Sequence, residues 1–421
     1  MDKIVIRGGT PLAGEIEISG AKNAALPILA ATLLSADTVT LSRVPRVMDT
    51  ATMKKLLRAM GAEIKEQDGV DTLTTEKIVS CEAPYEWVKK MRATILVLGP
   101  LLARHKEAHV SLPGGCAIGT RPVDLHLAGL TKMGAEIHVE HGIIHAKTKQ
   151  LKGATISFEK TTVTGTENLM MAATLAEGTT ILENVAQEPE ITDLAIFLNQ
   201  SGAHITGYGT DRIVIDGASS PTLSGTAYSI MADRIETGTY MAIAAITRGD
   251  ITIKNCCPEQ LTAVTSALKK VGASITTGRG WIRVQGEKIQ PFDLTTQPYP
   301  EFPTDMQAQF MALMAVSSGL SKITETIFES RFNHAAELRR MGAQIYIEQN
   351  HAIVQGVHSL SGAPVIASDL RASSSLVLAG LVATGETEIS RVYHLDRGYE
   401  KIEEKLSKVG ANIKRIKSRE Y

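Results

Sequence analysis

The chain has 421 residues, 43% of them apolar and only 4% aromatic, with a net charge of −1. That length supports two or three domains whose cores must be filled by aliphatic side chains. A near-neutral balance with no arginine-rich tail or aromatic-basic stripe argues against a nucleic-acid partner, and four irregularly spaced cysteines give no disulfide framework.

In chain order, Met1-Asp2-Lys3 leads directly into a strand, Lys3-Ile-Val-Ile-Arg-Gly8, so no signal peptide is expected and a reduced, cytoplasmic protein is. Gly8-Gly9-Thr-Pro-Leu-Ala-Gly14 has neither the Rossmann nor the P-loop spacing. A helix over 24–34 is apolar on nearly every face, and similar ones follow over 93–103, 168–176, 238–246, 309–316 and 374–382. Helices apolar all round are buried, and these are too short to span a membrane. Between them lie amphipathic helices, such as 53–60 and 261–268, each followed by Gly-Ala: Gly61, Gly134, Gly202, Gly272, Gly342 and Gly410. A hairpin pattern usually comes next, as in 203–215 and 343–354.

This recurrence, at about 70 residues, marks one supersecondary module repeated. The last module lacks its second hairpin strand, and Lys3–Gly8 resembles the missing piece, since Arg212-Ile-Val-Ile-Asp-Gly217 reads alike. The N-terminus is therefore expected to complete the sixth module. Three modules per domain give one domain over 22–229 and a second made of 1–21 and 230–421.

Polar residues collect at two registers. The first is the start of each buried helix: Lys22-Asn23, Arg92, Lys160 with 161–165, Asp233-Arg234, Thr304-Asp305 and Asp369-Leu-Arg371. Capping accounts for Asp305 or Asp369 taken singly. Cations there oppose the helix dipole, and so suggest that an anion is expected. The second register is the loop before each surface helix, with Cys116 and Arg121, Glu188 and Glu190, Arg331, and Asp396-Arg397. Such ends, repeated, could converge in a cleft between the two domains. Cys116 lies in Ser111-Leu-Pro-Gly-Gly-Cys-Ala-Ile-Gly-Thr-Arg-Pro-Val-Asp-Leu-His126, a glycine-rich loop running into a helix start at Pro122. A thiol beside a cation and a helix N-terminus is tunable as an acid or a nucleophile. His138, His141 and His145 fall on a hairpin whose alternation sends them to differing faces, so no metal is expected. Packing is the expected role of Cys256 and Cys257. Glu167 and Asn168 are expected to face solvent or to cap a helix.

From Lys3 to about Lys417 the chain resembles the enolpyruvyl transferase family, in the branch that uses UDP-N-acetylglucosamine. The resemblance is carried by Gly20-Ala-Lys22-Asn23, Pro113-Gly-Gly-Cys116, Phe302-Pro-Thr-Asp305-Met-Gln-Ala-Gln309, Asp369-Leu-Arg371-Ala and Asp396-Arg397-Gly-Tyr. It implies an α/β fold of two inside-out barrel domains with central buried helices. It also implies transfer of the enolpyruvyl group of phosphoenolpyruvate to the sugar 3'-hydroxyl, with release of phosphate, as the first committed step of peptidoglycan synthesis. The resemblance makes Cys116 the acid, Asp305 the base, and Lys22 and Arg397 part of the catalytic set. Lys22, Asn23, Cys116, Arg121, Arg331, Arg371 and Arg397 would hold phosphoenolpyruvate. Asn23, Arg92, Arg121, Pro122, Val123, Asp124, Leu125, Lys160, Thr161, Thr162, Val163, Asp305 and Ile327 would hold the sugar nucleotide. No cofactor is expected, and the antibiotic fosfomycin is expected to react at Cys116. Three rivals remain open: a shikimate 3-phosphate enolpyruvyl transferase, a non-catalytic sugar-nucleotide-binding paralogue, and an RNA-end-modifying enzyme on a similarly repeated fold.

Overall fold

The Gly-Ala signature has a single physical cause. At each site the glycine ends a helix with positive φ, between 90° and 111°. The following alanine N–H then reaches back to the carbonyl of the leucine five residues earlier. Ala62 bonds Leu57 at 2.9 Å, Ala135 bonds Leu130 at 3.0 Å and Ala203 bonds Leu198 at 3.0 Å. Ala273 with Leu268, Ala343 with Leu338, and Ala411 with Leu406 repeat the closure at 3.0, 3.0 and 3.1 Å. This is the Schellman stop, in which only glycine takes the left-handed turn without strain and a small apolar residue follows it into the core.

The computed structural model describes residues 2–89, 91–112 and 123–417. They divide into two compact units, one built from 2–19 and 232–417, the other from 20–112 and 123–231. Each unit holds three four-stranded mixed sheets among its described residues, so the fold class is α/β. Every sheet has one plan. An edge strand pairs in parallel with the strand that follows the buried helix, and two antiparallel strands, a hairpin in five of the six sheets of the described residues, complete it. Thr155–Ser157, helix Val163–Ala173 and Thr179–Glu183 show the parallel step, with Arg212–Asp216 and His204–Thr206 beyond it. A parallel pair needs a crossover, and here the buried helix supplies it.

Two edge strands come from the far side of a crossing in the chain. Ala13–Glu17 pairs with Asp250–Lys254, and Ala227–Ser229 pairs with Val39–Ser42. Asp2–Arg7 lies antiparallel between Glu386–Ser390 and Asn412–Lys417, the place that Arg212–Asp216 takes in its own sheet and that the likeness of the two segments predicts.

The apolar helices are the cores. Lys22–Ala31 is buried from Ala24 onward, and Val163–Ala173, Arg234–Ile246, Gln307–Ala315 and Leu370–Val382 are as deeply covered. Arg92–Val97, a 3₁₀ segment, continues into Leu98–His105. Several of these helices start a turn earlier than hydrophobicity indicates, because their first turns carry the polar residues. Among the described residues no helix is long and apolar enough to cross a membrane.

Candidate functional site

In the 232–417 unit the starts of three buried helices bring charged groups together. Asp369 caps Leu370–Val382 through Oδ1, which accepts from the N–H groups of Arg371 and Ala372, each at 3.0 Å. Asp233 caps Arg234–Ile246 in the same way, accepting from Ile235 at 2.8 Å and Glu236 at 2.9 Å. Asp305 differs. It lies in the 3₁₀ turn Thr304–Met306, which has no side-chain cap, so the capping account of Asp305 is corrected. Its two oxygens are instead divided between guanidiniums: Oδ1 meets Arg331 Nη1 at 2.9 Å and Oδ2 meets Arg371 Nη2 at 2.9 Å.

Both arginines are almost fully buried, with 6% and 4% of their side chains exposed, while Asp305 keeps 26%. The half-open partner is therefore the carboxylate, presented outward by cations packed behind it. Burial alone would lower the Arg371 pKa, but Asp305, Tyr399 and Asp233 more than offset it, and the net shift is upward. Arg331 is anchored further by Thr304 Oγ1, which accepts from its Nη1 at 2.9 Å and donates to Glu325 Oε2 at 2.9 Å. Glu325, fully buried, also accepts from the Ile327 N–H at 2.9 Å, which fixes the half-buried turn of Ile327. Arg397 ends the 3₁₀ segment Val392–Arg397 and is half-buried. Its neighbour Asp396 is bound by Arg415 at 3.0 and 2.6 Å, so that carboxylate is committed to the fold.

In the 20–231 unit the candidates also stand at helix starts. Lys22 opens Lys22–Ala31, with Asn23 half-buried beside it, and Lys22 Nζ lies 3.3 Å from Asp49 Oδ2. Asp49, buried in the first turn of Met48–Ala59, offsets the unfavourable meeting of an ammonium with a helix N-terminus. That helix is itself fixed by an ionic network. Lys54, buried between Asp71 and Glu66, and the nearby Arg58 and Arg46 hold Glu66 down to about 2, with Lys54 the largest influence. Arg92 opens its 3₁₀ segment, half-buried. Thr162 caps Val163–Ala173 by accepting from Gly165 N–H at 3.2 Å, and Lys160 and Thr161 are exposed just before it. Val123 is buried, Asp124 is exposed in the first turn of Asp124–Lys132, and Leu125 is half-buried. Cys116, Arg121 and Pro122 lie outside the described residues.

Two expectations are corrected here. Glu167 and Asn168 do not face solvent, since both are buried. Asn168 Oδ1 accepts from Gly99 N–H at 2.6 Å, and its amide donates to the Ile95 carbonyl at 2.9 Å and to His126 Nδ1 at 3.0 Å. Burial holds His126 neutral, pushed down to about 4, which suits its role as the acceptor. His138 and His145 of the hairpin do not diverge either, while His141 stands exposed in the turn between the strands. His138 and His145 are cross-strand partners with stacked rings, and His109 Nδ1 sits 2.9 Å from His145 Nδ1. Cross-strand register aligned them, which alternation along one strand could not reveal. Even so, no group of three or more metal-ligating side chains is arranged to hold an ion among the described residues.

Sequence reasoning missed Asp49, Glu325 and Tyr399 as supports. Gln309 carried a signal, as one of two glutamines that open an otherwise apolar helix; Asp49 and Glu325 carried none before their partners were placed.

The EPSP synthase (3-phosphoshikimate 1-carboxyvinyltransferase) family profile matches residues 6–406. A protein of Halorhodospira halophila named UDP-N-acetylglucosamine 1-carboxyvinyltransferase is 54% identical over 418 residues, covering 99% of this chain and 100% of its own. One of the same name from Coxiella burnetii is 55% identical over 425 residues, covering 100% and 98%. Among solved structures, the enolpyruvyl transferase NikO from Streptomyces tendae superposes with a TM-score of 0.90 at 23% identity, over 99% of both chains. EPSP synthase from Acinetobacter baumannii gives 0.76 at 19% identity, over 99% of this chain and 100% of that one. At such identities the structural likeness speaks for the fold alone.

Proposed function

Since the chain belongs to the enolpyruvyl transferase family, among relatives named UDP-N-acetylglucosamine 1-carboxyvinyltransferase, we propose that it transfers the enolpyruvyl group of phosphoenolpyruvate to the 3'-hydroxyl of UDP-N-acetylglucosamine. In this reading each unit is an α/β barrel turned inside out, with its helices at the centre. The observation that carries the chemistry is Asp305, a half-open carboxylate held by two buried guanidiniums.

Phosphoenolpyruvate is a vinyl phosphate bearing a carboxylate. Protonation of its methylene carbon by Cys116 makes the adjacent carbon electrophilic. The sugar oxygen attacks that carbon while Asp305 takes the hydroxyl proton, giving a tetrahedral phospholactoyl adduct. The carbon–oxygen bond to phosphate then breaks, a methyl proton leaves, and the double bond is restored. An oriented carboxylate suits the attack, since positioned proton transfer contributes about 10²–10⁴-fold. Lys22, Asn23, Arg121, Arg331, Arg371 and Arg397 serve the phosphoenolpyruvate anion in this scheme. Arg331 and Arg371 do so indirectly, because their nearest charge is Asp305. Asn23, Arg92, Arg121, Pro122, Val123, Asp124, Leu125, Lys160, Thr161, Thr162, Val163 and Ile327 would hold the sugar nucleotide. The product would enter peptidoglycan synthesis, and fosfomycin would alkylate Cys116.

The test compares acceptors. With phosphoenolpyruvate present, UDP-N-acetylglucosamine should trigger phosphate release and shikimate 3-phosphate should not. The reverse result, or no release with either, overturns the reading.

A further inference from the structure

Behind the Asp305 pair lies a buried hydroxyl whose proton has only one direction to take. Tyr399 is 2% exposed, and its Oη lies 2.9 Å from Thr239 Oγ1, 3.2 Å from Arg371 Nη1 and 3.4 Å from Gln309 Nε2. Thr239 already donates its own proton to the Ile235 carbonyl at 2.8 Å, and it accepts from Gln309 Nε2 at 3.0 Å. Between Tyr399 and Thr239, then, the tyrosine must donate. Its oxygen lone pairs are thereby turned to Arg371 and Gln309, both of which can only donate to it.

Arg371 depends on this acceptor. Its Nε has no hydrogen-bond partner among the described residues, and its other nitrogens are committed to Asp305 Oδ2 and Tyr399 Oη. Its guanidinium carbon also sits 5.6 Å from the centre of the Tyr399 ring. Gln309 Nε2 also lies 3.1 Å from the Asp305 carbonyl, so its two protons are shared among that carbonyl, Thr239 and Tyr399. The guanidinium plane that aims Asp305 is thus set by a tyrosine that follows the 3₁₀ segment Val392–Arg397 and by a threonine and a glutamine from two different buried helices.

We propose that Tyr399 is a positioning residue for the reaction, oriented by Thr239 and acting through Arg371 to hold Asp305 at the angle needed to accept the sugar proton. This rests on the reading of Asp305 as the base. Tyr399→Phe deletes one oxygen and keeps the ring. Buried, unpaired on two of its nitrogens, Arg371 would turn, and Asp305 with it.

The test is a double-mutant cycle on the full chain with both substrates. Tyr399→Phe should lower kcat by about tenfold or more while both KM values stay within about threefold, since aim rather than binding is lost. In an Asp305→Asn background the same change should cost less than about twofold, because both act on one step. Thr239→Val, which leaves the tyrosine in place but frees its proton, should repeat this pattern and carries the test if Tyr399→Phe does not fold. Wild-type kcat in Tyr399→Phe, or a loss undiminished in the Asp305→Asn background, overturns the inference while leaving the base intact. Wild-type turnover in Asp305→Asn itself removes the base, and the inference with it.

Discussion

Asn168 ties three helical segments of the 20–231 unit, and its replacement by leucine measures that tie. The leucine fits the volume but satisfies none of the partners. Gly99 N–H, the Ile95 carbonyl and His126 Nδ1 would each lose a bond now made at 2.6, 2.9 and 3.0 Å. Asn168 and His126 are both buried, so water does not readily replace what is lost. A buried polar group left unpaired costs about 1–3 kcal/mol, so three of them give a loss of about 3 kcal/mol or more. Whole domains hold only about 5–15 kcal/mol, which makes this a large fraction. In urea the transition of the 20–231 unit should fall by about 1 M or more, taking a slope of about 2–3 kcal/mol/M. Two units need not unfold together, so the transition should be followed by hydrogen exchange in each. A loss below about 1 kcal/mol, or a loss confined to the 232–417 unit, would show that Asn168 does not tie these segments together.

Glu236 should make stability depend on pH. Burial, opposed mainly by Lys405, raises it from 4.5 to about 7. A carboxyl raised on folding contributes in full below its unfolded value and loses that contribution as pH rises through the folded one, here between about 4.5 and 7. Asp193, raised to about 6, acts in the same sense, while His126 and His334, depressed to about 4, lose theirs as pH falls from 6.5. These opposed effects mask one another in the whole protein, so Glu236→Gln is the informative variant. Wild type should lose stability relative to it across that window, and a difference flat with pH contradicts the assignment. Asp49→Ala should raise the KM for phosphoenolpyruvate more than it lowers kcat, because Lys22 loses its brace; an unchanged KM shows that Asp49 does not position the ammonium.

The repeat was legible because its punctuation is chemical. Gly at positive φ followed by a small buried residue can be read from Gly61-Ala62 as well as from its structure. Helices without a polar face announced the cores for the same reason. Side-chain partnerships were less legible. Nothing local distinguishes Asp305, gripped by two arginines, from Asp369, which caps a helix, since both precede apolar runs. The difference lies in Arg331, whose closeness to Asp305 depends on the fold rather than on spacing. Glu167 and Asn168 misled because polar residues at a helix start ordinarily face water. Here a neighbouring helix breaks at Val97–Leu98 and its freed Gly99 N–H needs an acceptor.

Addition followed by elimination at phosphoenolpyruvate would carry solvent hydrogen into the product, so the decisive experiment is the reaction run in deuterium oxide. A methyl group formed from solvent and then deprotonated leaves deuterium in the vinyl methylene of the product, which NMR detects. Deuterium there, with the sugar nucleotide carrying the new ether at its 3'-oxygen, is the predicted result. A vinyl group free of deuterium, formed at an undiminished rate, contradicts it.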